Sequence, residues 1–273
     1  MIDTRGRGTA GAVASGSTLT AGDMARALLH GSGMSFLERR FGWFGPLTED
    51  EHAVLAGIVE DRVDVSQRDP IYARDDAADA PLVVLGGCLR EFSIDSDGRV
   101  QVVAVRLPGD IVGTDALWAA RHGFDLDALT QARVAPATAL FHDPRARRLR
   151  DVARGLFLAE EAALKDRLHL LGRARAEQRL LHLLLDLNVR QKRVLDGVGD
   201  RVWLPFSQTE VGNATGLTNV YVSKTMTRLR ARGTISVEGD IVTLGDPDAV
   251  GIDVDYVDHF QRAMDAAGRG GFA

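Results

Sequence analysis

Cysteine is almost missing from this chain: there is one, Cys88, in 273 residues. That excludes an intramolecular disulfide framework and any iron–sulfur cluster or zinc site built from several thiolates. No apolar run approaches the roughly 18–20 residues that a membrane helix needs. The N-terminal stretch carries Arg5 and Arg7 but no continuous apolar region, so it does not read as a signal peptide. A surplus of positive charge is lacking too: the formal net charge is −5, which argues against a uniformly basic coat but leaves a local basic face open. Nor is there a Gly-x-Ser-x-Gly elbow, a phosphate loop or a metal-binding helix motif, and Glu160-Glu161 and Asp75-Asp76 read as solvated charges. The chain is therefore not expected to be an enzyme. What is present is ordinary globular material, 45% hydrophobic and 26% charged. At about twice the length of a usual domain, it is expected to form two or more domains of a soluble, cytoplasmic protein with no membrane partner.

Composition divides the chain. Residues 1–33 are rich in Gly, Ser, Thr and Ala and bury too little to offset the entropy of ordering them, so a mostly disordered tail is expected, with one or two helical turns over Asp23–His30. From Phe36 to Val59 apolar residues recur at helical spacing, with Thr48 and the acids after it as a helix start. Residues 60–142 then give short β-rich runs: Arg62–Val65, Pro81–Leu85, Leu89–Ile94, Val100–Leu107 and Arg133–Phe141. Asp95-Ser96-Asp97-Gly98 and Leu107-Pro108-Gly109-Asp110 read as sharp turns between them. Many short, evenly spaced strands suggest an antiparallel sandwich or roll over 34–142. Asp143-Pro144 starts a long helix over 143–172 with two apolar stripes. Leu149, Val152, Leu156, Ala159 and Ala163 follow the spacing of a coiled-coil seam; Phe157, Leu164, Leu168 and Leu171 lie on another side. Two apolar faces imply two neighbours, the chain's own β domain and a second copy. Gly172 is a candidate hinge before a further helix from Ala176 to Gln191.

The C-terminal part carries the chemistry. Ser207-Gln208-Thr209-Glu210 is a capping box opening a short helix that ends at Gly216. Thr218 caps a second helix, Asn219 to Ala231, and Thr215-Gly216-Leu217-Thr218 is the tight turn between the two. Between Thr218 and Thr234 the ionised side chains are Lys224, Arg228, Arg230 and Arg232, with no acid, a local charge of +4. Asn219, Val220, Tyr221, Ser223 and Lys224 line the exposed N-terminal side, where amide, hydroxyl and ammonium groups can meet base edges or phosphates. Two strands, Thr234–Val237 and Ile241–Leu244, joined at Glu238-Gly239-Asp240, form a wing. A basic helix on its own is usually a solvated face; this order of capped helix, glycine turn, capped helix and hairpin points instead to DNA.

The stretch from Leu204 to Arg230 resembles the winged helix-turn-helix of the Crp/Fnr superfamily of transcription regulators. Gly86-Gly87-Cys88-Leu89-Arg90, Asp97-Gly98-Arg99-Val100-Gln101 and Leu107–Gly113 resemble its cyclic-nucleotide-binding-like roll, so the likeness covers about residues 36–260. The resemblance implies an α+β chain: an N-terminal antiparallel β-roll of jelly-roll type, a long dimerisation helix, a winged helix-turn-helix over 173–250 and a C-terminal tail over 251–273. It implies a homodimer on a palindrome, with double-stranded DNA and RNA polymerase as partners and half-sites spaced by about one helical turn, roughly 34–36 Å. By position, Asn219, Val220, Ser223 and Lys224 face bases, while Ser207, Gln208, Thr218 and Arg228 contact phosphates. Val220 stands where the commonest family pattern has glutamate, and Lys224 where it has arginine; valine accepts no hydrogen bond and lysine is a point donor. The operator is expected to differ from the usual family half-site, with Val220 against a thymine methyl.

In the family's nucleotide-binding members a Gly-Glu pair holds ribose and an Arg-Ser pair holds the cyclic phosphate. Here Thr114 follows Gly113, no arginine stands at the phosphate position, and Asp125 and Asp127 would repel an anion. Gly109, Asp110, Gly113 and Thr114 remain as weak effector candidates. Cyclic AMP is not expected to bind. An iron–sulfur cluster is disfavoured because the N-terminal cysteine cluster is lacking, and haem because the histidines have no ligand-like spacing. Cys88 is expected to be a buried structural thiol. The alternative is a sensor or scaffold module whose winged helix binds protein; its interaction would be salt-insensitive and would retard no DNA.

Overall fold

The computed structural model of the chain describes residues 19–268. The Thr20 hydroxyl accepts the Asp23 amide and opens helix α1 (Ala21–His30), which buries Met24 and Leu28. A Ser32 cap opens α2 (Gly33–Gly42), which buries Phe36, Leu37, Arg40 and Phe41. The expected tail over 1–33 is thus corrected from Ala21 onward. Met24 and Leu28 stand one helical turn apart and form an apolar face with a surface to cover, which an argument from mean composition does not register. The rest of that tail, 1–18, lies outside the described residues. The helical run expected over Phe36–Val59 is two helices, α2 and α3 (Glu49–Glu60), parted by a loop with Gly45 at φ 123°. Thr48 and Glu51 form a reciprocal capping box at α3, and the buried Glu51 carboxylate also accepts from Nε and Nη2 of Arg148.

Eight strands build the roll: β1 (Val63–Val65), β2 (Pro70–Tyr72), β3 (Leu82–Gly86), β4 (Leu89–Ile94), β5 (Val100–Arg106), β6 (Ile111–Val112), β7 (Asp125–Ala128) and β8 (Ala132–Pro136). They form two four-stranded sheets in the orders β1-β8-β3-β6 and β2-β7-β4-β5, antiparallel throughout. At three, two and four residues, β2, β6 and β7 are too short to register as an alternating pattern. The strand expected to reach Phe141 stops at Pro136, which has no amide to continue a ladder, and Thr138–His142 forms α4. In the turn between β5 and β6, Pro108 precedes Gly109 at φ 88° and the Asp110 amide returns to the Leu107 carbonyl at 3.0 Å.

Asp143 caps a short helical turn at Pro144–Ala146, and α5 (Arg147–Arg173) runs on from it. Gly172 lies inside α5; the break falls at Ala174 and Arg175, whose ψ values of 151° and 161° are extended. Next come α6 (Ala176–Val194), β9 (Arg201–Trp203), α7 (Gln208–Thr215), α8 (Asn219–Ala231), β10 (Ile235–Glu238) and β11 (Ile241–Leu244). The wing has a third strand, in the order β10-β11-β9. Of the tail expected over 251–273, residues 251–268 are not a tail: α9 (Pro247–Asp253) packs on α6, and α10 (His259–Gly268) packs along α5 with Phe260 only 4% exposed. Residues 269–273 lie outside the described residues.

Of the two stripes on α5, the one with coiled-coil spacing is spent inside the subunit. Leu149, Val152, Leu156 and Ala159 are buried in a cluster with Leu37, Leu55, Leu140 and Phe260. On the other side Leu158, Leu164 and Leu168 are 62%, 51% and 69% exposed. Phe157 instead stacks on Phe141, their centroids 6.2 Å apart.

Candidate nucleic-acid interface and the roll cavity

The helix-turn-helix is set on α6. Leu180, Leu184 and Leu187 join Val202, Trp203, Val211, Val222, Leu229 and Leu244 in one core. Two buried amides of α6 fix the wing: Gln191 exchanges 2.8 and 2.9 Å hydrogen bonds with the Trp203 backbone, and Asn188 donates to the Gly199 and Arg201 carbonyls. In the capping box of α7, Ser207 Oγ accepts the Glu210 amide at 3.2 Å, and the Glu210 carboxylate accepts the Ser207 amide at 2.7 Å. Gly216 takes the left-handed conformation at φ 66°, and Thr218 Oγ1 caps α8 by accepting the Tyr221 amide.

Along α8 the side chains split as its period requires. Val222, Thr225 and Leu229 face the core; Thr218, Asn219, Val220, Tyr221, Lys224 and Arg228 face outward, and Ser223 is half-buried. Val220 and Tyr221 are 56% and 59% exposed, so both side chains are accessible to a partner. Ser207 and Gln208 are exposed on the neighbouring α7, so the expected contact set lies on two adjacent helices. The charge of this face is lower than α8 alone implies. Glu177, at the start of α6, accepts from both Arg228 (2.8 Å) and Arg232 (3.0 Å). A contact more than fifty residues upstream leaves no periodic trace, so sequence reasoning missed it. Arg228 must leave Glu177 to reach a phosphate.

In the roll, Gly109 and Asp110 are structural. Asp110 is 2% exposed and accepts from the Leu107 amide, Arg40 and Arg190, leaving it no capacity for an effector. Gly113 sits at φ 64° against the stacked rings of Tyr72 and His122. Thr114 alone of the four candidates lines a cavity, of about 530 Å³, between the roll, α5 and α10. Val103, Val105, Ile111, Trp118, Phe124 and Phe260 wall it. Asp125 and Asp127 are not on its wall; Arg90 grips Asp127 through two 2.7 Å bonds, so neither acid repels a ligand there. Arginines do reach the cavity, from β5, α5 and α6 rather than from the expected motif position. Arg106, Arg167 and Arg190 are all held by carboxylates.

Cys88 is fully buried, and burial pushes its thiol well above the ordinary range, so no nucleophilic thiolate forms near neutral pH. Maleimide should leave Cys88 unmodified in folded protein and modify it after denaturation, read by mass spectrometry. Peroxide should change DNA binding equally in the native chain and in Cys88→Ser. A peroxide response that Cys88→Ser removes would show a redox role instead.

A β-roll joined by a long helix to a winged helix-turn-helix, with a capped basic helix presented outward, defines a DNA-binding transcription regulator with a sensor-type domain. Residues 178–250 match the Crp-like helix-turn-helix domain. The nitrogen fixation regulation protein FixK of Bradyrhizobium diazoefficiens is 32% identical over 190 residues, 68% of this chain and 78% of that protein. FixK of Rhizobium meliloti is 33% identical, with 61% and 74% of the two chains covered. The structure of FixK2 from Bradyrhizobium japonicum superposes with a TM-score of 0.60 at 26% identity, over 72% of this chain and 97% of that one. The chain belongs to the Crp/Fnr family of transcription regulators and is a sequence-specific DNA-binding regulator. Among the described residues no helix is long and apolar enough to cross a membrane.

Proposed function

We propose that the chain acts as a homodimer on a two-fold operator, with α5 pairing against its symmetry mate and each α8 entering a major groove. The carrying observation is the exposed pair of surfaces: the leucine stripe of α5, and the N-terminal half of α8 with no acidic side chain on it. Asn219, Val220, Tyr221, Ser223 and Lys224 are assigned to bases; Ser207, Gln208, Thr218 and Arg228 to the phosphate backbone. RNA polymerase is the partner of the bound dimer.

The roll cavity is assigned to an effector that is largely apolar and uncharged. Its three arginines are paired with Glu91, Glu160 and Asp186 of the same wall, Asp115 and Glu161 add further acids, and the rest is mostly aliphatic and aromatic, which suits neither a cyclic phosphate nor a free anion. No cyclic AMP, iron–sulfur cluster or haem enters this reading.

Binding selection from random duplexes tests it. A palindrome should emerge whose half-sites carry thymine opposite Val220, and Val220→Ala should relax that position. Lys224→Ala should weaken binding about tenfold, the low end for a base contact because lysine is a point donor. The slope of log affinity against log salt should be about −0.9 per phosphate contacted. Retention of no duplex at low salt, or the usual family half-site unchanged by Val220→Ala, would defeat the assignment.

A further inference from the structure

Asp110 stands where three parts of the molecule meet. It belongs to the sensor domain, in the turn between β5 and β6. One carboxylate oxygen accepts from Arg40 of α2 at 2.9 Å; the other accepts from Arg190 of α6, the helix on which the DNA-binding domain is built. The Leu107 amide donates to that second oxygen at 2.9 Å and fixes the carboxylate in its turn. Arg40 and Asp110 are each 2% exposed and Arg190 is 8% exposed, so this junction is dry. Burial opposes ionisation of Asp110, but the guanidiniums of Arg190, Arg40 and Arg106 outweigh it and hold the carboxyl below the usual range.

The junction is the middle of a longer chain of charges. Glu91 of β4 holds Arg106 of β5, which holds Glu160 of α5 at 2.6 Å. Glu160 faces Arg40, and beyond Asp110 the chain continues through Arg190 to Asp186, and on to Arg167 of α5 at 3.8 Å. Four guanidiniums alternate with four carboxylates across β4, β5, α2, α5 and α6. Arg190 also donates to the Val105 carbonyl at 2.9 Å, a second tie from α6 to the roll. From the far side, the rings of Trp43 and Phe260 cover Arg40 at 5.1 and 4.8 Å.

Such an array is a poor way to gain stability, since desolvating the charges offsets most of their attraction. What it supplies is direction. The surrounding contact between the domains is largely apolar, with α7 against β5 and α1 against β3 and β9, and apolar faces tolerate sliding; its other polar ties, Gln101 to the Asn213 carbonyl at 2.8 Å and the exposed Arg68 to Glu210 at 3.3 Å, are single contacts near α7. A carboxylate that gives one oxygen to each of two guanidiniums accepts only one arrangement. Asp110 is also followed directly by Ile111, and soon by Thr114, both on the cavity wall. A displacement of that wall moves the carboxylate on which α6 is held.

We propose that Asp110 is a charge latch which fixes the orientation of the DNA-binding domain on the roll, through Arg190, with Arg40 of α2 as its second holder. In this role Asp110 is a positioning residue: it touches no DNA. The proposal concerns domain orientation and stands apart from the operator assignment, so it is tested without DNA.

Spin labels on Ser96→Cys, in the exposed β4–β5 turn, and Ser236→Cys, on the wing, report the distance between the domains. The buried Cys88 stays unlabelled, and excess unlabelled chain removes pairs between subunits. The native sequence should give one narrow distance. Asp110→Asn and Arg190→Met should each split or broaden it, while Arg190→Lys, which keeps the charge, should retain the single distance. Should a single charge deletion prevent folding, the triple variant Asp110→Leu with Arg40→Met and Arg190→Met removes all three buried charges of the junction, leaves Glu160 to Arg106 and Asp186 to Arg167, and should fold with a split distribution. One unchanged narrow distance in folded Asp110→Asn, or in that triple variant, would overturn the proposal. So would a loss of melting temperature with no change in distance, which is what a merely structural ion pair would give.

Discussion

Leu164→Asp combined with Leu168→Asp leaves the subunit folded and abolishes its dimer. Both side chains are more than half exposed in the subunit, so their replacement opens no cavity and buries no charge within it. In the proposed dimer each is covered by the mate. Fully burying a leucine is worth roughly 1.5–3 kcal/mol, and the two-fold axis counts each position twice. The loss is therefore of order 6–12 kcal/mol before the cost of facing carboxylates, which weakens a dissociation constant near nanomolar by about four to eight decades. Sedimentation should show a monomer with native circular dichroism. Operator affinity should fall at least a hundredfold, because the two half-sites no longer act through one linked pair. A dimer that persists in this variant would place the interface elsewhere and remove the paired-helix reading.

Gly212→Val abolishes DNA binding by a different route, from inside the domain. A Cβ at Gly212 would come closer than 3.0 Å to the Leu217 carbonyl, which is backbone and cannot swing away. That carbonyl belongs to the turn joining α7 to α8, and the Gly212 carbonyl itself accepts the Leu217 amide at 3.0 Å. The turn must open, and α8 leaves the core that orients Asn219–Lys224. Overpacking of this kind costs about 1–3 kcal/mol or more, and the geometric loss adds to it, so affinity should fall more than a hundredfold. The roll, which shares no strand with the wing, should keep its hydrogen-exchange protection. Gly216→Ala offers the contrast. It strains a left-handed residue by only about 1 kcal/mol and should reduce binding mildly. Native affinity in Gly212→Val would mean that the α7–α8 turn does not set the reading helix.

The recognition element was legible because its signals are local. Capping boxes, a glycine at the end of a short helix and an acid-free helical face each act within a few residues. Ser207, Gly216 and Thr218 all perform the roles their spacing implies. The strands at Leu89–Ile94 and Val100–Arg106 were legible for the same reason, being long enough to alternate and joined by a turn that needs a glycine. The short strands β2, β6 and β7 were not, since two to four residues carry no period. Helix α10 was overlooked, and α1 was read only as one or two turns within a disordered tail, because mean composition averages away a few well-placed apolar residues, Met24, Leu28 and Phe260 among them.

By itself the amino-acid order determined a β-roll, a long helix with two apolar sides and a winged helix-turn-helix with a basic reading face. These follow from forces that reach one or two helical turns. Only the tertiary structure decided which stripe of α5 is spent inward, that Glu177 restrains Arg228, and that Asp110 serves Arg40 and Arg190 rather than a ligand. Those outcomes are pairings between residues fifty or more positions apart. Charge and burial are settled by which surfaces meet in space, and a linear pattern carries no record of that meeting.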